Sequence, residues 1–356
     1  MSAAERPGAG LICPSCLRRV GRAEIVHRCV AGPDPCSGGR RSVAADPHAP
    51  WAVCDGCGRT TARRHCRPCG GRLPEGRLGE PGRIVAVAGP PGSGKSTFLA
   101  VLLHELRHGL GAELGAALLP GDDRTEAEVR QRYEQPLYEQ GRVLAAHAPG
   151  EGFRPLVHRL GLRYGRRERA LTLVLLDTPA GADARPALAA ADAAVLLLDP
   201  HDLPGTGLRR PGRGTRSAEV LDRALDALPR DAGGRIGVPV ALGLAKLDLP
   251  APGLPPYSPL HRRRRPRPGF DPVDRAAVDT EVRALLELWQ GDGPVRRLRE
   301  EGAAGHQLFA FSALGAPPRS GATPPGGPRP HRVEDPLLWL LHRFGLLPRL
   351  KRAGRA

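Results

Sequence analysis

The sequence predicts an α/β fold in three layers: helices on both faces of a mostly parallel sheet with one antiparallel strand, preceded by a small Cys-rich domain folded around zinc. Three observations carry that expectation. Gly89-Pro-Pro-Gly-Ser-Gly-Lys-Ser96 fits the phosphate-loop pattern G-x-x-x-x-G-K-[ST] and lies between an apolar run and a helix-period run. Short apolar runs then alternate with helical patterns, and several of them end in Asp or in short polar motifs. All eight cysteines fall between Cys13 and Cys69. The chain divides accordingly into a Cys-rich region with linker (1–80), a second domain (81–350) and a basic tail (351–356).

At 356 residues the chain has room for about two domains. Its net charge of +16 admits an anionic partner such as nucleic acid or a membrane surface. The bias is compositional, however: 50 arginines stand against 3 lysines, and asparagine is absent. The Cys-rich region also offers one aromatic residue, Trp51, for base stacking. Nucleic acid is therefore not the favoured partner. No secretory signal and no apolar run near about 18 residues is seen, so the expectation is a soluble cytoplasmic protein without a transmembrane segment. Two of the three lysines, Lys95 and Lys246, lie in motifs, where a compact ammonium is not replaced by Arg; Lys351 lies in the tail.

The cysteines form Cys13-x-x-Cys16, Cys29, Cys36, Cys54-x-x-Cys57 and Cys66-x-x-Cys69. Two thiolates on one tight knuckle take adjacent corners of a tetrahedron, so eight thiolates fill two closed Zn(Cys)4 sites, structural because no position remains for water. The region has few apolar residues, so zinc is expected to supply much of its folding energy. The ribbon-like pairing joins Cys54/Cys57 to Cys66/Cys69 and Cys13/Cys16 to Cys29/Cys36; a cross-braced alternation is the other choice. His27, His48 and His65 are read as surface histidines rather than ligands. Leu73 to Gly82 reads as a linker.

In the second domain Ile84–Ala88 reads as a buried strand and Thr97–Leu110 as a helix, with Leu99, Leu102, Leu103 and Leu106 at helical spacing. Between them Gly89, Pro90, Pro91, Gly92, Ser93, Gly94, Lys95, Ser96 and Thr97 form the loop. Its glycines let backbone N–H groups point at phosphate oxygens, and the helix N-terminus adds partial positive charge. Lys95 is placed to reach the β- and γ-phosphates and Ser96 to ligate Mg²⁺. Glu126–Tyr138 reads as a helix, whose Tyr133, Leu137 and Tyr138 are taken as packing residues, and Gly141–Arg154 as a loop. Leu156–Tyr164 and Leu171–Leu176 are strands too close in sequence for a helical crossover, so they pair antiparallel. Asp177 follows the second of them, at the position that holds Mg²⁺ through water. Ala193–Leu198 is a buried strand ending at Asp199. Ser217–Leu228 is a helix, Val238–Leu244 a strand, Pro250–Gly269 a basic proline-rich insertion read as a solvated loop. Val273–Trp289 is a long helix, His306–Phe311 the last strand and Glu334–Leu347 a closing helix with a core-facing apolar side.

With these elements in order, residues 83–347 resemble the translation-factor/Ras-like (TRAFAC) class of P-loop GTPases. The resemblance implies a P-loop GTPase-like sandwich. Asp177 to Gly181 looks like the D-x-x-G motif, Ala245 to Asp248 like [NT]-K-x-D, and Ser312-Ala313-Leu314 like the S-A-[KL] motif. It implies catalytic roles for Lys95, Asp177 and Gly181, the last through an N–H to the γ-phosphate. The chemistry agrees with guanine: a carboxylate at Asp248 accepts from N1–H and the N2 amino group, donors that adenine lacks there. The Lys246 stem lies across the base, and a backbone N–H near Ala313 donates to O6. The zinc region, the Gly92–Leu106 run and Tyr133–Tyr138 narrow the resemblance to bacterial "double-GTPase" proteins. That implies a partner, a second GTPase, in a bacterial signalling or defence system, with the zinc module recruiting partners.

The chain departs from the pattern in four places. Asp177 to Gly181 is one residue longer than D-x-x-G, with Pro179 extra. Neither Ala182 nor Asp183 is a Gln that orients water. Thr125 is the only threonine between Thr97 and Thr172, and none lies near His147, where the switch threonine is expected. Ala245 replaces Asn or Thr. The expected function is therefore a GTP/GDP-binding switch or slow GTPase using Mg²⁺, with two zinc sites. The alternatives are a nucleotide-binding pseudo-GTPase scaffold and an ATP-dependent P-loop protein with nucleic-acid contacts.

Overall fold

The computed structural model describes residues 11–29, 36, 42–43, 49, 51–75, 80–148, 150–164, 167–179, 182–208, 217–264, 269–303 and 305–350. Gly181, His48, the middle of the linker (76–79) and the tail (351–356) lie outside the described residues.

The Cys-rich region is made of short strands: β1 (Leu11–Ile12), β2 (Arg19–Val20), β3 (Ile25–Arg28), β4 (Ser42–Val43), β5 (Ala52–Val53), β6 (Thr60–Thr61) and β7 (Arg64–Cys66). β1 pairs with β2 and β5 with β6, while β3 lies between β4 and β7. The three C-x-x-C knuckles share one hydrogen-bond pattern. The N–H four residues on donates to the first Cys carbonyl: Leu17 to Cys13 at 2.8 Å, Gly58 to Cys54 at 2.8 Å and Gly70 to Cys66 at 2.7 Å. That turn needs a left-handed residue, which is Gly58 (φ 68°), Gly70 (φ 73°) and, unusually, Leu17 (φ 58°).

Leu17 has a reason to stand there. Together with Ile12 it is buried in the core cluster that contains Ile84, Ala86 and Val174 of the main sheet. The small region therefore does not rest on metal alone, because it lends two apolar side chains to its neighbour's core. Arg19 locks the contact: its guanidinium donates to both Asp192 oxygens at 2.6 and 2.7 Å and to the Gly82 carbonyl at 3.1 Å. Leu73, expected in a linker, is buried in the cluster around Cys13 and Cys66.

The second domain comprises β8 (Gly82–Ala88), α1 (Lys95–His108), α2 (Leu110–Leu114), β9 (Ala116–Pro120), α3 (Asp123–Glu128), a π-helical segment (Val129–Glu139), β10 (Arg154–Tyr164), β11 (Arg167–Asp177), α4 (Arg185–Ala189), β12 (Ala193–Leu198), α5 (Ser217–Ala227), β13 (Val240–Leu244), α6 (Pro272–Leu288), α7 (Gly293–Glu300), β14 (His306–Ala310) and α8 (Asp335–Arg343). One seven-stranded sheet runs in the order β14-β13-β12-β8-β11-β10-β9. All neighbours are parallel except that β10 is antiparallel to both β11 and β9. The expected antiparallel strand is thus present.

Period-two alternation gives the sheet two apolar faces. Ile84, Ala86 and Ala88 of β8 face Leu188 of α4, Leu221 and Leu225 of α5, Val278 and Val282 of α6 and Leu298 of α7. Val85 and Val87 face α1, α2, the π-helical segment and α8. α1 buries Phe98, Leu99, Leu102, Leu103 and Leu106, each worth about 1.5–3 kcal/mol of apolar burial. The result is three layers.

Three expectations need correction. The single helix over 126–138 is α3 followed by the π-helical segment, which carries Pro136 inside it. β9 and α7 were not anticipated; β9 is a five-residue edge strand, too short to give a period. The basic insertion is not simply solvated: Leu260 and Ser258 are buried, and Arg264 pairs with Glu113 and with Glu334 at 3.1 Å.

Candidate functional site

Two groups of four cysteines come together. Cys13, Cys16, Cys66 and Cys69 form one, and Cys29, Cys36, Cys54 and Cys57 the other, with all sulfurs in a group within 4.8 Å of one another. Both clusters could hold zinc. Sulfur separations are 3.5 Å for Cys13–Cys69, Cys29–Cys57 and Cys36–Cys54, and 3.9 Å for Cys16–Cys66. A zinc–sulfur bond of about 2.3 Å in a tetrahedron requires an edge of about 3.8 Å, so the donor set fits. All eight are free thiols. Backbone N–H groups, first that of Gly56 and then that of Cys57, outweigh burial and hold the Cys54 thiol at about 7, whereas burial pushes Cys36 of the same cluster up to about 12.

The pairing is nested, neither the ribbon-like nor the cross-braced arrangement. The reason lies in β3. It pairs with β7 in the register Ile25↔Cys66 and His27↔Arg64, which sets the last knuckle beside the first. Cys29, at the exit of β3, is left to join the middle knuckle. His27 and His65 are not ligands, but they are not surface residues either. His27 is buried, and His65, half-buried, places Nδ1 3.0 Å from the Gly70 carbonyl of its own knuckle.

At the opposite end of the sheet, beyond the carboxyl ends of β8, β13 and β14, lies a cavity of about 620 Å³. Its wall includes Pro91 to Phe98, Val143 to Ala148, Ala245, Lys246, Asp248, Ala313 and Leu314, with Pro317 and Pro318. Sequence segments far apart in the chain therefore meet in one crevice. Gly92 (φ 75°) and Gly94 (φ 92°) take left-handed conformations that turn the loop back over the start of α1. No side chain caps α1 at Gly94, so its first-turn N–H groups face the loop. Gly89 and Pro90 lie behind, their carbonyls accepting from Lys95 Nζ at 3.0 and 3.1 Å. Burial lowers the Lys95 ammonium to about 8, against the pull of Asp177. Lys95, Ser96 and the uncapped N–H groups make an electropositive cradle suited to an anion.

Lys246 stands at φ 52°, a left-handed position for a non-glycine residue and one that concentrates at functional sites. Its ammonium donates to Asp199 Oδ2 at 2.8 Å, while Asp199 Oδ1 accepts from the His201 N–H at 3.1 Å and lies 2.9 Å from its ring. Burial pushes the Asp199 carboxyl up, but Lys246 and His201 outweigh it and keep the group below the usual carboxylate range. Ser312 is not in the wall. Its hydroxyl donates to Asp248 Oδ1 and accepts from the Gly315 N–H at 2.8 Å, so it fixes the carboxylate. Asp177 is fully buried behind the loop, with Oδ2 accepting from the Tyr133 hydroxyl at 2.8 Å. Thr125 is not at the cavity: its hydroxyl accepts from the Val157 N–H at 3.1 Å.

Sequence reasoning missed Asp199, His201 and Tyr133 as site residues. Asp199 was legible, since it ends an apolar strand just as Asp177 does. Tyr133 was not, because its helix gave only a packing pattern.

The fold and cavity define an open, mostly parallel α/β protein with a crevice at the carboxyl ends of its strands, where such sheets take ligands. No family model matches the chain. A curated protein of Mycolicibacterium smegmatis, named as an ESX-1 scaffolding and assembly protein (SaeC), is 29% identical over 329 residues, covering 79% of this chain and 80% of its own length.

Proposed function

We propose that the protein binds guanine nucleotide with Mg²⁺ and acts as a GTP-dependent switch or slow GTPase of the TRAFAC type, in the bacterial cytoplasm. The observation that carries this reading is the meeting of the Gly89–Ser96 loop, Lys246, Asp248, Ala313 and Leu314 around one crevice. In it Lys95 and the loop N–H groups bind the phosphates, Ser96 and Asp177 hold the magnesium, and Asp248, steadied by Ser312, reads the base. The ion, when bound, supplies charge neutralisation at the β- and γ-phosphates. Turnover is slow because no Gln stands after Asp177 to orient water, so a partner that adds an Arg would raise the rate about 10³–10⁵-fold.

A second reading is favoured by one finding, the name of the mycobacterial relative. On that reading the nucleotide is bound without turnover and the protein serves as a scaffold for partner proteins, a second GTPase-like protein among them. Both readings share the guanine site. No described helix is long and apolar enough to cross a membrane, which fits either.

Calorimetric titration with GTP, GDP and ATP in Mg²⁺, on the wild type and on Asp248→Ala, tests the shared site. Tight GTP or GDP binding that Asp248→Ala weakens at least tenfold is expected. Equal ATP binding, or indifference to the substitution, overturns the guanine assignment.

A further inference from the structure

We propose that Tyr133 is the positioning residue for Asp177: its phenol holds one carboxylate oxygen so that the other is presented to the magnesium ion of a bound nucleotide. The inference rests on the guanine-nucleotide reading above and assigns a role to a residue whose helical spacing pointed only to packing.

Asp177 ends β11 and has no exposed surface. Its Oδ2 accepts from the Tyr133 hydroxyl at 2.8 Å, and the Arg154 guanidinium lies 3.8 Å from the same oxygen. Arg154 is itself held by Glu151 at 2.6 Å, so it completes a fixed frame on that side. Oδ1 is equally buried and has no hydrogen-bond partner among the described residues. A buried carboxylate oxygen in that state is unfavourable unless a cation or a cation-bound water completes it. Lys95 makes no hydrogen bond to Oδ1: two of its three ammonium hydrogens go to the Gly89 and Pro90 carbonyls. One oxygen is therefore engaged by Tyr133, with Arg154 nearby, and the other has no hydrogen bond among the described residues.

Tyr133 is built for the task. It is 1% exposed, and burial, with the charge of Asp177 next, pushes its phenol far up, so it is a neutral donor at any physiological pH. It sits in the π-helical Val129–Glu139 segment, a wound-out geometry found often at functional sites. Val129 and Leu137, buried on either side of it, anchor the segment. Between Thr97 and Thr172 the chain has no serine, and its one threonine, Thr125, is committed to β10. Tyr133 thus brings a hydroxyl to Asp177 from a stretch that offers no other short one.

The test is fluorescent GDP and GTP analogue binding as a function of Mg²⁺, for the wild type, Tyr133→Phe and Tyr138→Phe. Tyr138, stacked on His104 at 3.9 Å, is the control for loss of a tyrosine hydroxyl on the same segment. Without added Mg²⁺, and with no chelator that would strip zinc, all three proteins are expected to bind alike, which shows that each is folded. Tyr133→Phe is expected to need about 10–100-fold more Mg²⁺ for half of its affinity gain, the range seen when an outer residue that orients a metal ligand is removed. Tyr138→Phe is expected to follow the wild type. An unchanged Mg²⁺ requirement in Tyr133→Phe, or a wild type that binds guanine nucleotide with no Mg²⁺ dependence, overturns this inference and leaves the guanine site standing. A wild type that binds no guanine nucleotide overturns both.

Discussion

The two ends of the sheet are finished differently. At the amino end the charged groups described above are engaged: both Asp192 oxygens accept from Arg19 Nη2, one of them also from the Ile84 N–H at 2.7 Å, and Glu80 meets Arg159 at 2.7 Å. At the carboxyl end Ser93 Oγ, His147 Nε2 and Asp177 Oδ1 are buried and have no partner among the described residues. Such atoms occur elsewhere too, at His158 for example, but three of them, from three separate segments, meet around this one loop; buried polar groups are nearly always satisfied, so a gathering of that kind is where a ligand would complete the molecule. The amino end holds the protein together, whereas on the proposed function the carboxyl end keeps its polar groups for a ligand.

The sharpest way to break that contrast is through the cysteines. The cluster of Cys13, Cys16, Cys66 and Cys69 belongs to the region that sends Ile12 and Leu17 into the main core. Among the described residues the other cluster shares its buried apolar group with Ala52 alone, beside the exposed Trp51 and Val53. Cys13→Ser and Cys54→Ser both truncate a buried thiol and should each remove one of two bound zinc ions. Cys13→Ser should lower global stability by more than about 4 kcal/mol, at the top of the range for single substitutions. Cys54→Ser should cost about 1–2 kcal/mol and appear as local unfolding. Urea unfolding with metal analysis measures both; equal shifts in midpoint would mean that neither cluster is tied to the core.

A smaller effect lies between the two ends. His158, in the middle of β10, is fully buried, its ring nitrogens have no well-formed hydrogen bond among the described residues, and burial, then the charge of Arg107, lowers it to about 3 against a weaker backbone contact to Leu156. As pH falls below about 6.5 the unfolded chain takes up the proton first, so stability is lost progressively between there and about 3. Each pH unit is worth about 1.4 kcal/mol, or about 2 kcal/mol between pH 6.5 and 5. His158→Leu should be less sensitive to acid by that amount in urea titrations at the two pH values. Zinc release acts on both proteins alike, so the difference isolates the histidine, and parallel pH curves would show that it is satisfied in solution.

Much of the sheet was legible because its strands are apolar runs whose ends carry the motifs. Ala193–Leu198, for example, is buried at every position and needs no partner to be recognised. The cysteine pairing was not legible, because three knuckles of identical spacing are interchangeable until β3 chooses β7. That choice is a long-range register, which no local pattern encodes. Leu17 was hidden for a related reason: a leucine in a glycine's conformation makes sense only once the core it enters is known. Of the cavity, the loop and Asp248 could be read from chemistry, whereas the Tyr133 contact depends on a π-helical turn that a 3.6-residue period misplaces.

The weakest effect on stability should come from the residue that matters most to the cavity. Lys95 is buried, and its ammonium is held by two carbonyls while burial works against its charge. Replacing it by Met removes two hydrogen bonds and also removes the burden of desolvating a cation, so the terms oppose each other. Lys95→Met should therefore change the urea midpoint by less than about 1 kcal/mol in equivalent stability, in either direction. The same substitution should abolish measurable triphosphate binding, because the charge that faces the phosphates is gone. Were Lys95→Met to unfold the protein, the loop would be a structural element like the zinc knuckles, and the contrast between the two ends would fail. Intact stability with lost binding is the outcome that a carboxyl end kept for a ligand requires.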